Sequence, residues 1–165
     1  MKYYDIHSHL GKTSSGDENT PSELVTDLKR YGIEKVGISC LSGISTREQN
    51  DLIYRAMQEY PEVIEGYAFI NPKDAAAENE IDLCLGTYGM SAVKFHSWKH
   101  GYYPDNSGSL DRLLDKIDSY GVHVQTHVVL HQSAIPMSGQ NMPISIRMSV
   151  LYSLTSGIMN LGCPR

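Results

Sequence analysis

The chain has 165 residues, 41% of them hydrophobic and 20% charged, with a formal net charge of −5. That length supplies one domain with a proper core and is too short for two substantial ones. The acidic balance, with Lys and Arg scattered, argues against a nucleic-acid partner, and no run of eighteen apolar residues offers a membrane span.

Met1-Lys2-Tyr3-Tyr4-Asp5 passes straight into a strand-like segment without an apolar signal core. Cys40, Cys84 and Cys163 are an odd number with no close pairing, which suits buried thiols in a reducing cytoplasm. Tyr3 to His9 reads as a first strand, and a polar loop with Gly11, Ser14, Ser15, Gly16 and Asp17 follows. Thr20-Pro21-Ser22-Glu23 opens a helix: Thr20 caps it, Pro21 suits the first turn and Glu23 completes a capping box. Leu24, Leu28 and Tyr31 form its apolar stripe, and Gly32 ends it. Lys35 to Leu41 is a second strand, and a helix from about Thr46 to Tyr60 stops before Pro61. Val63 to Ile70 reads as a third strand, Ala75 to Leu85 as a helix and Met90 to His96 as a fourth strand. A stripe of Leu110, Leu113, Leu114 and Ile117 marks a helix that stops at Gly121, and Val122 to Val129 is a fifth strand.

Strands alternating with helices of ten to fifteen residues predict βαβ units and a parallel sheet. No G-x-G-x-x-G follows the first strand, so a dinucleotide site is not indicated. The expected fold is α/β: a partial TIM-type (β/α) barrel, with about five parallel strands of the usual eight and flanking helices. Residues 1–131 form this barrel part. Residues 132–165 are an atypical tail: all nineteen acidic residues precede position 119, and the tail's only charges are Arg147 and Arg165. It reads either as a C-terminal helix, over about Met142 to Met159, or as a segment unrelated to the barrel, such as a frameshift product.

His7 and His9 are two apart on the first strand, so both rings project from one face. Inside a barrel, near the C-terminal rim, two imidazoles at that spacing can hold one divalent ion. Asp5 shares their parity and is placed to orient a ligand histidine. His127, at the end of the fifth strand, is a candidate third ligand, and His123 lies deeper, on the barrel floor. On the fourth strand Ala92, Lys94, His96 and Trp98 share the interior face, and Val93 and Phe95 pack under helices. His96 is a candidate catalytic residue that contacts substrate or the activated water. Lys94 either binds a substrate carboxylate or pairs internally with Asp5 or another carboxylate. Tyr102, Tyr103, Asp105 and Asn106 form a polar loop above this strand, as substrate wall or rim cover. Cys40 and Cys84 read as packing residues, and His100 and His131 as solvated loop positions.

The Asp5-Ile6-His7-Ser8-His9 opening resembles the amidohydrolase superfamily. So do Gly66-Tyr67-Ala68-Phe69-Ile70-Asn71-Pro72, Val93-Lys94-Phe95-His96 with its Tyr103/Asp105 loop, and Val122-His123-Val124-Gln125-Thr126-His127. The resemblance covers residues 3 to about 131 and is nearest to the branch containing aminocarboxymuconate-semialdehyde decarboxylase. It implies a zinc or similar divalent ion on His7, His9 and His127, serving a hydrolase or decarboxylase. It also implies a strand-six histidine and a strand-eight aspartate, for which this chain has no counterpart, so it reads as C-terminally truncated.

The expected function is a metal-dependent hydrolase or decarboxylase acting on a small carboxylate- or amide/ester-bearing molecule, impaired by loss of the second barrel half. The alternatives are a catalytically inactive barrel fragment, or interaction remnant, and a histidinol-phosphatase-like metallophosphoesterase, which Ser15-Gly16-Asp17 faintly suggests. Besides a small-molecule substrate, the expected partner is a second copy joined through open sheet edges.

Overall fold

Strand β1 (Tyr3–Lys12) continues past its histidines and turns into a two-residue antiparallel strand, β2 (Glu18–Asn19), which pairs Gly11 with Asn19 and Lys12 with Glu18. The computed structural model describes residues 2–12, 16, 18–40, 45–102 and 108–127. Helix α1 (Pro21–Tyr31) carries the full capping box: Thr20 accepts from the Glu23 amide, and Glu23 reaches back to the Thr20 amide. Gly32 ends it at φ 69°, a left-handed conformation that favours glycine. Strand β3 (Ile33–Cys40) leads to α2 (Thr46–Glu59), whose box is Ser45 with Glu48.

Strand β4 (Ile64–Phe69) is followed by α3 (Ala77–Ile81), which passes into a π-helical turn over Asp82–Thr87. The single helix expected from Ala75 to Leu85 is thus divided. Tyr88 N–H donates to Leu83 O, an i→i+5 closure that a 3.6-residue periodicity does not announce. Strand β5 (Ala92–His96) runs directly into a short helix, α4 (Ser97–His100), where the sequence suggested a continuing strand face through Trp98. Helix α5 (Gly108–Ser119) and strand β6 (His123–His127) complete the described chain. The tail 132–165 and the expectations for Tyr103, Asp105, Asn106, His131 and Cys163 lie outside the described residues.

The strand order is β2-β1-β3-β4-β5-β6, with every pair after β2-β1 parallel. The outward face packs on the helices through Val36, Ile38, Ile64, Ala68, Val93 and Phe95. The inward face carries Lys35, Glu65, Tyr67, Lys94 and Gln125; Lys35 and Glu65 form an ion pair at 3.0 Å, and the Tyr67 ring fills the space a Cβ on Gly37 would need. Neighbouring strands lie about 4.8 Å apart, so β1 and β5, three steps away, would be separated by about 14 Å in a flat sheet. Yet Lys94 Nζ stands 3.3 Å from His7 Nε2, and Gln125 Nε2 donates to Ile6 O at 3.0 Å from a strand one step further. The sheet is therefore strongly curled. It is a partial (β/α) barrel with five parallel strands, as the alternation predicts.

Candidate metal centre

Between Asp5 and Ser8, β1 holds one residue more than β3: Asp5 aligns with Val36 and Ser8 with Ile38, three positions against two. Such a bulge reverses side-chain parity across it. Asp5 therefore stands on the outward face with Ser8, whose hydroxyl donates to Asp5 Oδ2 at 2.7 Å, while Asp5 Oδ1 accepts the His7 backbone N–H at 3.0 Å. This corrects the expectation that Asp5 shares the histidines' face. It pins the bulge through the His7 amide rather than holding an imidazole.

From the bulge onward, His7 and His9 meet on the inward face. Their Nε2 atoms are 3.1 Å apart and the rings are edge to face, with centroids 4.8 Å apart at 88°. His9 Nδ1 lies 3.1 Å from Ser39 O. A carbonyl only accepts, so Nδ1 carries the proton and Nε2 presents its lone pair to His7. On the other side, the Lys94 amine approaches His7 Nε2 at 3.3 Å and donates to Gln125 Oε1 at 3.0 Å. Burial, then the charges of Lys94, His9 and His127, lower His7 to about 4. His9 is lowered by burial, with the Ser39 carbonyl opposing. Burial also lowers Lys94 to about 8. Both imidazoles are thus neutral near pH 7, the form that ligates metal.

Lys94 is fully buried, at 0% exposure, on the inward face. Its described partners are His7 and Gln125, not Asp5, which the bulge has turned away. The β5–β6 register sets His96 beside His127, and the two rings stack at 4.0 Å and 16°. His127 accordingly faces His96 rather than closing on the β1 pair. Among the described residues, no three His, Cys, Asp or Glu side chains converge closely enough to hold an ion. His96 Nδ1 accepts the Lys99 N–H at 3.2 Å, and burial, then the His127 and Lys94 charges, lower His96 to about 3.

Other expectations resolve simply. His123 lines a cavity of about 190 Å³ with Ile6, Tyr67 and Gln125 at the floor of the sheet. His100 is not in a solvated loop: it ends α4, its ring lies 4.8 Å from the Phe69 ring, and its buried Nδ1 has no hydrogen-bond partner. Tyr102 is buried, with its hydroxyl on Thr126. Cys40 and Cys84 are buried thiols. Reading the sequence missed Ser39, which sets the His9 tautomer, and Gln125, which holds Lys94. Gln125 shares the parity of His123 and His127, so alternation alone could have singled it out.

Two nitrogens each about 2.1 Å from one ion stand at most about 4.2 Å apart, and the His7 and His9 Nε2 atoms, 3.1 Å apart, meet that condition. The pair fits as half of a site for an ion that accepts imidazole ligands.

A curled parallel sheet with paired histidines toward the C-terminal end of its first strand is the architecture of an amidohydrolase-type barrel. A family model described as Amidohydrolase matches residues 17–152, and the chain belongs to that family. The match begins after His7 and His9 and includes Lys94, His96 and His127. No curated protein matches. Among solved structures, a Staphylococcus aureus protein assigned as an amidohydrolase is similar at TM-score 0.67 and 17% identity, covering 87% of this chain and 53% of its own. An Acinetobacter baumannii protein assigned as a 2-pyrone-4,6-dicarboxylic acid hydrolase, solved with citric acid, gives TM-score 0.61 and 19% identity over 78% and 50%. The 5-carboxyvanillate decarboxylase of Novosphingobium aromaticivorans, with bound manganese and a nitrobenzoic acid, gives TM-score 0.62 and 14% identity over 77% and 51%. The chain spans about half the length of these relatives. Among the described residues, no helix is long and apolar enough to cross a membrane.

Proposed function

We propose that the chain carries the N-terminal half of a metal-dependent hydrolase or decarboxylase site for a small carboxylate- or amide/ester-bearing molecule. The observation that carries this reading is the His7–His9 pair, with nitrogens 3.1 Å apart and the His9 tautomer set by the Ser39 carbonyl. His7 and His9 would hold a divalent ion, zinc in this reading, with His127 as a third ligand once its ring leaves His96. Such an ion polarises a substrate oxygen and acidifies water. Lys94 offers an ammonium inside the curl for a substrate carboxylate, and His96 contacts the substrate at the rim. The carboxylates bound or processed by two of the similar proteins, a nitrobenzoic acid and a pyrone dicarboxylic acid, favour this substrate class. The setting is cytoplasmic, and a second copy pairs through the open sheet edges.

A catalytically inactive fragment is the second reading, and one observation favours it: among the described residues no three potential ligands converge on one point. Metal analysis of the purified wild type beside His7→Ala tests the proposal. The expected result is near-stoichiometric zinc in the wild type and its loss in the variant. A wild type without metal, or a variant that retains as much, overturns the ligand assignment.

A further inference from the structure

We infer that Gln125 is a positioning residue for the paired histidines: reaching in from β6, it holds the peptide group that joins Ile6 to His7, and so keeps the His7 ring against His9. Its value to a metal site rests on the proposed function; the hold itself does not.

That peptide lies inside the bulge. Between Asp5 and Ser8, neither Ile6 nor His7 has a partner in the β1–β3 register. A peptide outside the ladder still needs its N–H and C=O met, and here two side chains meet them. His7 N–H donates to Asp5 Oδ1 at 3.0 Å, and Ile6 O accepts from Gln125 Nε2 at 3.0 Å. The bond is trans, so its N–H and C=O point in opposite directions. Asp5 holds one end from the outward face and Gln125 the other from the inward face. A turn of that plane is a change in φ at His7, the residue that carries the ring.

Gln125 can do this in one orientation only. Its Oε1 accepts the Lys94 ammonium at 3.0 Å. Turning the amide over would set its NH₂ against that ammonium and its oxygen against the Ile6 carbonyl, two contacts between like partners. Lys94 thereby fixes which end of the amide faces β1. The link spans 119 residues of sequence and four strand steps, so no ladder joins its ends.

Losing the hold should leave the fold in place. Ile6 and Gln125 both line the cavity of about 190 Å³ at the floor of the sheet, and Ile6 is 48% exposed. Water there can satisfy Ile6 O without fixing its direction. What a substitution at Gln125 removes is the orientation of one peptide.

The test is nuclear magnetic resonance on the ¹³C,¹⁵N-labelled full chain at pH 7, without added metal. A coupling across the hydrogen bond from Gln125 Nε2 to the Ile6 carbonyl carbon is expected in the wild type, and its absence overturns the hold without recourse to any variant. Gln125→Glu keeps the length and the Lys94 partner, but sets an oxygen against Ile6 O. It should raise the exchange rate of the His7 amide about fivefold, the worth of one neutral hydrogen bond. The Overhauser contact between the His7 and His9 rings should weaken with it, while the Val93 and Phe95 amides of β5 exchange at wild-type rates. Gln125→Met, which removes the Lys94 partner as well, should do so at least as strongly. A Glu variant with an unchanged His7 amide and ring contact overturns the positioning role. So does a loss of protection that Val93 and Phe95 share equally, since that marks a general support of the fold. Because every reading is made without metal, failure here is distinct from failure of the ligand assignment, which metal analysis of His7→Ala decides.

Discussion

Replacing Asn50 by alanine should cost the fold more than any other single polar truncation on α2. Asn50 has 0% exposure. Its Nδ2 donates to Phe69 O at 3.1 Å and to Glu80 Oε1 at 2.8 Å, and its Oδ1 accepts the Phe69 N–H at 2.7 Å. One side chain thus satisfies both backbone groups of the last residue of β4 and one oxygen of a carboxylate that Arg47 holds from outside at 2.7 Å. Alanine leaves the Phe69 N–H and C=O without the side chain that bonds them, and leaves Glu80 Oε1 only the weak Cys84 thiol donor at 3.7 Å. Two neutral hydrogen bonds at about 1 kcal/mol each and one to a charged group at about 2 kcal/mol give a loss of about 4 kcal/mol. With a urea dependence of about 2 kcal/mol per molar, the midpoint falls by about 2 M. Equilibrium urea unfolding followed by circular dichroism measures this. Gln49→Ala is the control, because the neighbouring Gln49 is also buried but bonds only Ser45 O through Nε2, and its Oε1 has no partner. It should cost under about 1 kcal/mol. If Asn50→Ala loses no more than Gln49→Ala, the network does not anchor β4 and the reasoning fails.

Acid should destabilise the protein well before its carboxylates are protonated. Burial lowers His7 and His100 to about 4 and His96 to about 3, against about 6.5 in the unfolded chain. Between those values the unfolded state binds more protons, so stability is complete above about pH 6.5 and declines as pH falls toward 4. Urea midpoints taken from pH 7.5 to 4.5 in metal-free buffer check this, and a flat profile would falsify it. Lys94→Met removes the amine 3.3 Å from His7 Nε2, and should tighten zinc about tenfold in competition with a chromogenic chelator, a gain of about 1.4 kcal/mol. An unchanged affinity would mean that Lys94 does not confront the metal position.

The fold was legible wherever one local rule decides. Capping boxes at Thr20–Glu23 and Ser45–Glu48 are complete within four residues, and the structure forms both. The inward and outward faces of β5 followed from simple alternation: Lys94 and His96 turn in, Val93 and Phe95 join the core. The π-helical turn and α4 were not legible, because each depends on where a particular amide finds its acceptor. Leu83 O takes the Tyr88 amide, and His96 Nδ1 takes the Lys99 amide. Neither choice leaves a mark on hydrophobic periodicity.

The candidate site shows the same division more sharply. Two-residue spacing was enough to bring His7 and His9 together, since alternation runs unbroken from His7, the last residue of the bulge, to His9. Asp5 lies on the other side of the bulge, and a single inserted residue in β1 carried it to the opposite face. Parity is a property of an unbroken ladder, so an argument from spacing holds only as far as the next bulge. His127 illustrates a second limit. Its position at the end of β6 was read from the pattern, but its neighbour was not, because lateral register is set by pairing between segments thirty residues apart. That register puts His96 beside it and leaves the β1 pair to Lys94. What each histidine can do is then decided one atom further out, by a carbonyl at His9 and an amide at His96. The motif specifies where the imidazoles stand, and the backbone groups around them specify what each Nδ1 must do, donating at His9 and accepting at His96.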